Sequence, residues 1–170
     1  MTTSSRQNKA AIALQWWSAL KPSDRAQTGQ HRAALARLRR AATPLEVMQQ
    51  PEALRLIARL SHSADRVATL AGILALVDET VDQHLARAVG RSSLDSELRP
   101  ALSEARFRRL LQVPPDEVME PMRRVVRLAK SKVNVLDLSD SILYWGDRVK
   151  RRWIFDYYGV NGGIRTDTGE

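Results

Sequence analysis

Apolar residues recur at helical spacing in one segment after another of this chain, and that periodicity limits it to packed helices. Ile12, Trp16, Ala19 and Leu20 share one face of a segment from about Gln7 to Leu20. KPSD at Lys21–Asp24 breaks that segment, and a second runs from Gln30 to Ala42. Thr43 and Pro44 then supply a cap and a first-turn proline for the next helix, and Pro51 starts another that runs to Leu60. Ser63 caps a long apolar stretch, Asp65 to Val77, which Glu79–Val89 continues or follows after a bend. Ser103–Gln112, Pro115–Lys132 and Ser139–Tyr158 complete the series, separated by VPP and an NVLDLS turn. The tail, GVNGGIRTDTGE, reads as frayed, and its Gly162-Gly163 pair as flexible. No strand hairpin, internal repeat or low-complexity tract interrupts the pattern. The expectation is an all-α, two-lobed helical bundle, with lobes 1–95 and 96–170 meeting in the linker Gly90–Pro100.

Composition narrows the function. The 170 residues contain no cysteine, which excludes disulfides, thiolate-held metals and thiol catalysis. Nowhere do eighteen apolar residues run together, and MTTSSRQNKAA lacks a signal-peptide core, so the expectation is a soluble cytoplasmic protein without a membrane. His31, His62 and His84 are scattered and read as surface or interhelical side chains. Asp78, Glu79 and Asp82 put two carboxylates on one helical face, a conceivable Mg²⁺ pair but more simply a solvated acidic face. There is no P-loop and no GxGxxG. The chain therefore reads as no enzyme, with no cofactor and no metal site. The four tryptophans fit helix–helix packing, with Trp17 alone assigned an exposed or interfacial place.

Charge is what remains. Lys plus Arg number 27 against 19 acidic residues, and most of the cations are Arg, whose planar fork matches two phosphate oxygens. Residues 1–44 carry net +7 and residues 101–132 net +4, against −2 for 45–100 and −1 for 133–170. Such alternation suits a polyanion-binding surface better than an even soluble coat. On a helical wheel Ala34, Leu35 and Leu38 face one way, with Arg32, Arg39 and Arg40 opposite and Arg37 at the flank. Val118, Met122, Val125, Val126 and Ala129 form a second stripe, opposed by Arg123, Arg124, Arg127 and Lys130. In the last segment Ile142, Trp145, Val149, Trp153 and Tyr157 are buried, while Arg148, Lys150, Arg151 and Arg152 reach outward. These rows have almost no acidic partners at helical spacing, which favours phosphate-backbone binding over a face of intrahelical ion pairs. No positioned Asn or Gln suggests base readout. A free-standing helical DNA-binding regulator stays open as an alternative.

Four stretches resemble the CasB family: WGDRVKRRWIFDYYG (Trp145–Gly159), RRVVRLAKSKVNVLDLSDSILYWGD (Arg123–Asp147), RFRRLLQ (Arg106–Gln112) and WWSALKPSDRAQTGQHRAALARLRRAATP (Trp16–Pro44). The resemblance covers nearly the whole chain in order, with Glu46–Pro100 less distinctive. It implies an all-helical, two-lobed, non-catalytic small subunit of the type I-E CRISPR effector complex Cascade. Two copies would lie beside the other subunits and the crRNA, supporting the target and displaced DNA strands. The family's phosphate-contacting arginines map onto Arg39, Arg40, Arg106, Arg108, Arg109, Arg123, Arg124 and Arg148 to Arg151, a span that includes Lys150. Where family members have consecutive basic residues after the Trp-Gly pair, this chain places Asp147 first.

Overall fold

A computed structural model describes residues 2–21 and 28–160; the 161–170 tail and residues 22–24 of the KPSD break, both read above from sequence, lie outside the described residues. The helices are α1 (Thr3–Leu20), α2 (Thr28–Arg40), α3 (Pro44–Met48), α4 (Pro51–Arg59), α5 (Ala64–Leu74), α6 (Leu85–Val89), α7 (Glu104–Gln112), α8 (Met119–Leu128), α9 (Val135–Leu143) and α10 (Asp147–Tyr158). Two short strands, β1 (Glu79–Thr80) and β2 (Lys132–Val133), pair in parallel with Glu79 opposite Lys132. Among the described residues the fold is all-α apart from that pair.

Helix α5 is the centre. Every residue from Val67 to Leu74 is buried, as expected of a helix that is apolar all round. Around it pack α2, α3, α4, α8 and α9, while α1 lies along α9 and α10 along α6. One hydrophobic cluster runs from Ala13 to Tyr157, so residues on both sides of Gly90–Pro100 contribute to it. The Gly90–Pro100 segment itself is tied down: the Arg91 amide donates to the Tyr157 carbonyl at 2.7 Å. A β-carbon on Gly90 would collide with that same carbonyl, which explains glycine there.

Side-chain caps mark the starts of four helices among the described residues. Thr43 Oγ1 accepts from the Glu46 amide with Pro44 in the first turn, and Glu46 Oε2 returns to accept from the Ala42 amide at 2.6 Å. Ser63, Ser103 and Asn134 cap α5, α7 and α9 in the same manner. All four indoles are buried and each finds an acceptor. Trp16 donates to the Glu52 carbonyl, Trp145 to that of Val113, and Trp153 to Ser141 Oγ. Trp17, assigned an exposed or interfacial place from sequence, is also buried and donates to the Val77 carbonyl at 3.1 Å.

Three expected helices are shorter or divided. Ser139–Tyr158 is two helices, broken at Tyr144–Gly146, where the Trp145 indole donates to the Val113 carbonyl. The NVLDLS stretch is no turn but the cap and first turn of α9, where Asn134 Oδ1 accepts from the Asp137 amide. Helix α8 stops at Leu128, and Lys130 and Ser131 follow with φ of 56° and 59°. That left-handed pair is unusual for residues with side chains. It reverses the chain so that β2 can meet β1. The meeting also ends the helical reading of Glu79–Val89, so Asp78 and Asp82 share no helical face.

Candidate nucleic-acid interface

The expected arginines divide by what their guanidinium groups reach. On α2, Arg40 is exposed and, among the described residues, bonds only its own helix, Nε donating to the Ala36 carbonyl. Arg37 donates to Gln50 Oε1 at 3.0 Å and pairs with Glu52 at 3.4 Å. Arg39 crosses to the end of α5, donating to the Ala75 carbonyl at 2.6 Å, and shares Asp78 with Lys21. Those carboxylates lie far off in sequence, where a helical wheel cannot see them. Arg37 and Arg39 are therefore partly engaged within the fold.

Arg123 leaves the expected row altogether. It is 2% exposed. Its Nε donates to the Gly72 carbonyl at 3.0 Å, Nη1 to Ala41 at 2.7 Å and Nη2 to Leu38 at 2.9 Å. These carbonyls belong to the last turns of α2 and α5, where helical partners run out and the macrodipole is negative. One guanidinium caps both ends. Burial lowers its pKa against the pull of Glu120, and the chemistry here is structural. The helical wheel misassigned it because Met119, four residues earlier, is buried too and widens the apolar arc.

What remains of the α8 row is Arg124 and Arg127, exposed and both paired with Glu120 at 3.5 and 3.6 Å. Glu120 stands at i−4 from Arg124, so the α8 row does have an acidic partner at helical spacing, against expectation. Lys130 is exposed beyond the helix end. On α7, Arg108 pairs with Glu104 at 3.8 Å, whereas Arg106 and Arg109 have no side-chain partner among the described residues. Arg106, Arg109 and Arg124 come together around one groove, floored by Leu110, Val125 and Leu128. On α10, Arg148 reaches Asp140 at 3.4 Å, Lys150 lies over the Trp145 ring, and Arg151 is exposed and unpaired among the described residues. Arg152, expected to point outward, turns in to bond Asp137 and Ser141.

Sequence reasoning also missed a cationic spot. Arg55 and Arg59 of α4 line a cleft with Gln30 and His31 of α2, beside Glu52. Their i, i+4 spacing on a short helix was the available signal.

The histidines are interhelical or half-exposed. Among the described residues no group of three or more His, Cys, Asp or Glu is placed to hold a metal ion. His62 Nε2 lies 2.7 Å from the Leu143 carbonyl. His84 Nδ1 lies 2.9 Å from Asp156 Oδ2 and 3.8 Å from Asp137 Oδ1. The hydrogen bond to Asp156 raises the His84 pKa above its usual 6.5, against an opposing desolvation. A raised folded-state pKa stabilises the protein below the unfolded value and loses that contribution as pH rises through the folded one. Wild type should therefore exceed His84→Gln in urea stability most clearly below the usual histidine pKa of 6.5, with the gap narrowing as pH rises above it. A gap that grows with pH would refute the ion pair.

A family model described as CRISPR-associated protein Cse2 matches residues 34–158. A search of curated protein sequences returns no match. Among solved structures, CasB from Thermus thermophilus is similar at 27% identity, over 88% of this chain and 97% of that one, with a TM-score of 0.69. A chain of the E. coli Cascade structure bound to a PAM-containing dsDNA target shares the fold, with a TM-score of 0.63 and 17% identity over 87% of this chain and 95% of that one.

Proposed function

The chain belongs to the CRISPR-associated Cse2 (CasB) family, and from that premise we propose that it is a non-catalytic small subunit of a type I-E Cascade complex, holding crRNA-guided target DNA open through sequence-independent backbone contacts. One observation carries the reading: exposed arginines without partners among the described residues, Arg106, Arg109 and Arg151, on a chain of net charge +8. A guanidinium with no carboxylate to satisfy it is available to phosphate. Arg40, Arg124, Arg127, Lys130, Arg148 and Lys150 extend the cationic surface, and Arg108 adds to it from α7. Arg123 is withdrawn from the contact set. Base pairing by the guide supplies sequence specificity in such complexes, and the exchange of duplex for heteroduplex is nearly balanced. A few phosphate contacts on the order of 1 kcal/mol each then tip the equilibrium. The other Cascade subunits, a second copy of the chain, crRNA and both DNA strands are the partners in this reading.

The test is electrostatic. If about six phosphates are neutralised, binding of the isolated protein to a single strand should fall with a log–log salt slope near −4. Reversing Arg106 and Arg109 together should bring the slope toward about −3. Complexes reconstituted with that double variant should assemble, pair guide and target by unchanged rules, and lose target sooner as salt rises. Wild-type retention and an unchanged slope would mean that these arginines are only a solvated face. Sequence-selective binding of duplex by the free protein would instead favour the regulator.

A further inference from the structure

Helix α10 turns an unusual face to solvent. Val149, Trp153 and Tyr157 are buried against the core, and Arg152 and Asp156 are engaged with Asp137 and His84. Opposite them lie Arg148, Arg151 and Phe155, at i, i+3 and i+7. On an α-helix these three fall within about 60° of arc and about 10 Å along the axis. Phe155 is 40% exposed, with Ile154 beside it at 37%. No other ring stacks on Phe155 among the described residues. Asp147 is the one acidic residue exposed on this helix, at its first turn, where the helix dipole favours it.

Phe155 and Ile154 together form an apolar spot directly beside the two guanidinium groups. A surface that only follows phosphates would gain nothing from an exposed benzyl ring, because a duplex keeps its bases stacked inside. An aromatic face next to two guanidinium groups fits a ligand that offers both charge and an unstacked ring. We propose that the Arg148–Arg151–Phe155 face of α10 is a single-strand platform, on which the arginines hold consecutive phosphates and a base stacks on Phe155. The inference rests on the backbone-binding reading above and adds to it a base-stacking contact at Phe155. Stacking accepts any base, so it is compatible with sequence-independent binding.

The experiment is anisotropy with the full-length protein and three labelled probes: a twenty-nucleotide oligothymidine, a duplex of the same length, and an abasic strand that retains phosphates but lacks bases. Phe155→Leu keeps an apolar side chain at a partly exposed site and should leave helical circular dichroism unchanged. It should weaken oligothymidine binding about fivefold to tenfold, with duplex and abasic binding changed less than about twofold. Phe155→Trp should bind oligothymidine at least as well as wild type. Arg148→Glu with Arg151→Glu should weaken all three probes. If the arginine pair matters but Phe155→Leu leaves oligothymidine affinity unchanged, the platform is wrong and the backbone reading stands. Equal loss on all three probes from Phe155→Leu also overturns stacking. Unchanged binding by every variant removes this helix from both readings. Failure of Phe155→Leu only in co-assembly with other Cascade subunits would make the face a protein contact instead, and would equally overturn the proposal.

Discussion

Replacing Arg123 by methionine should destabilise the protein by about 3–5 kcal/mol, whereas the same change at its neighbour Arg124 should cost less than about 0.5 kcal/mol. The contrast follows from burial, 2% against a side chain 72% exposed. Methionine matches the length of the arginine stem and spares the cost of burying a cation. It leaves the carbonyls of Leu38, Ala41 and Gly72 without their donor, however, and each orphaned buried acceptor costs about 1–3 kcal/mol. Two helix C-termini lose their counter-charge at the same time. Lysine should recover only part of the loss, because one ammonium cannot span three acceptors that a planar fork reaches from three nitrogens. Glutamate should prevent folding, since it would set a carboxylate among three carbonyls. Urea denaturation of the methionine, lysine and Arg124→Met variants is the measurement. A methionine variant within about 1 kcal/mol of wild type would mean that Arg123 is dispensable to the core and would return it to the list of candidate phosphate ligands.

The second large effect is expected at Trp153. This side chain is 1% exposed, meets Trp145 edge to face at 5.4 Å, and donates to Ser141 Oγ at 2.9 Å. Trp153→Ala should cost about 3–5 kcal/mol, combining lost transfer energy with the cavity that remains between α9 and α10. Trp153→Phe keeps a ring in the same space and loses the N–H donor, so its cost should be about 1–2 kcal/mol. Near-ultraviolet circular dichroism adds a direct readout, because the Trp145–Trp153 pair would be lost in both variants. An alanine variant that melts with wild type would show that the joint between α9 and α10 is not held by this ring. Arg151, two residues away and exposed, should tolerate alanine without measurable loss of stability.

Residues near in sequence were read correctly where the governing interaction is local. The caps at Thr43 and Ser63 each act within three residues, and the stripes that bury Leu38 and Val126 follow from a period of 3.6 residues. The all-α class, the burial of Trp16, Trp145 and Trp153 and the excess of arginine over carboxylate were therefore legible in the chain itself. Three decisions belonged to the tertiary structure. The break between α9 and α10 falls where Trp145 donates to the Val113 carbonyl, 32 residues away. The ending of α8 depends on a strand pairing with Glu79–Thr80. Which arginines face solvent depends on acceptors brought from α2, α4 and α5, as Arg37, Arg39 and Arg123 show. A helical wheel reports the angle of a side chain around its own axis, but a guanidinium lies several bonds from that axis and goes where desolvated carbonyls or carboxylates need it. Sequence alone determined that this protein is a helical polycation; packing decided which of its cations remain free to meet a polyanion.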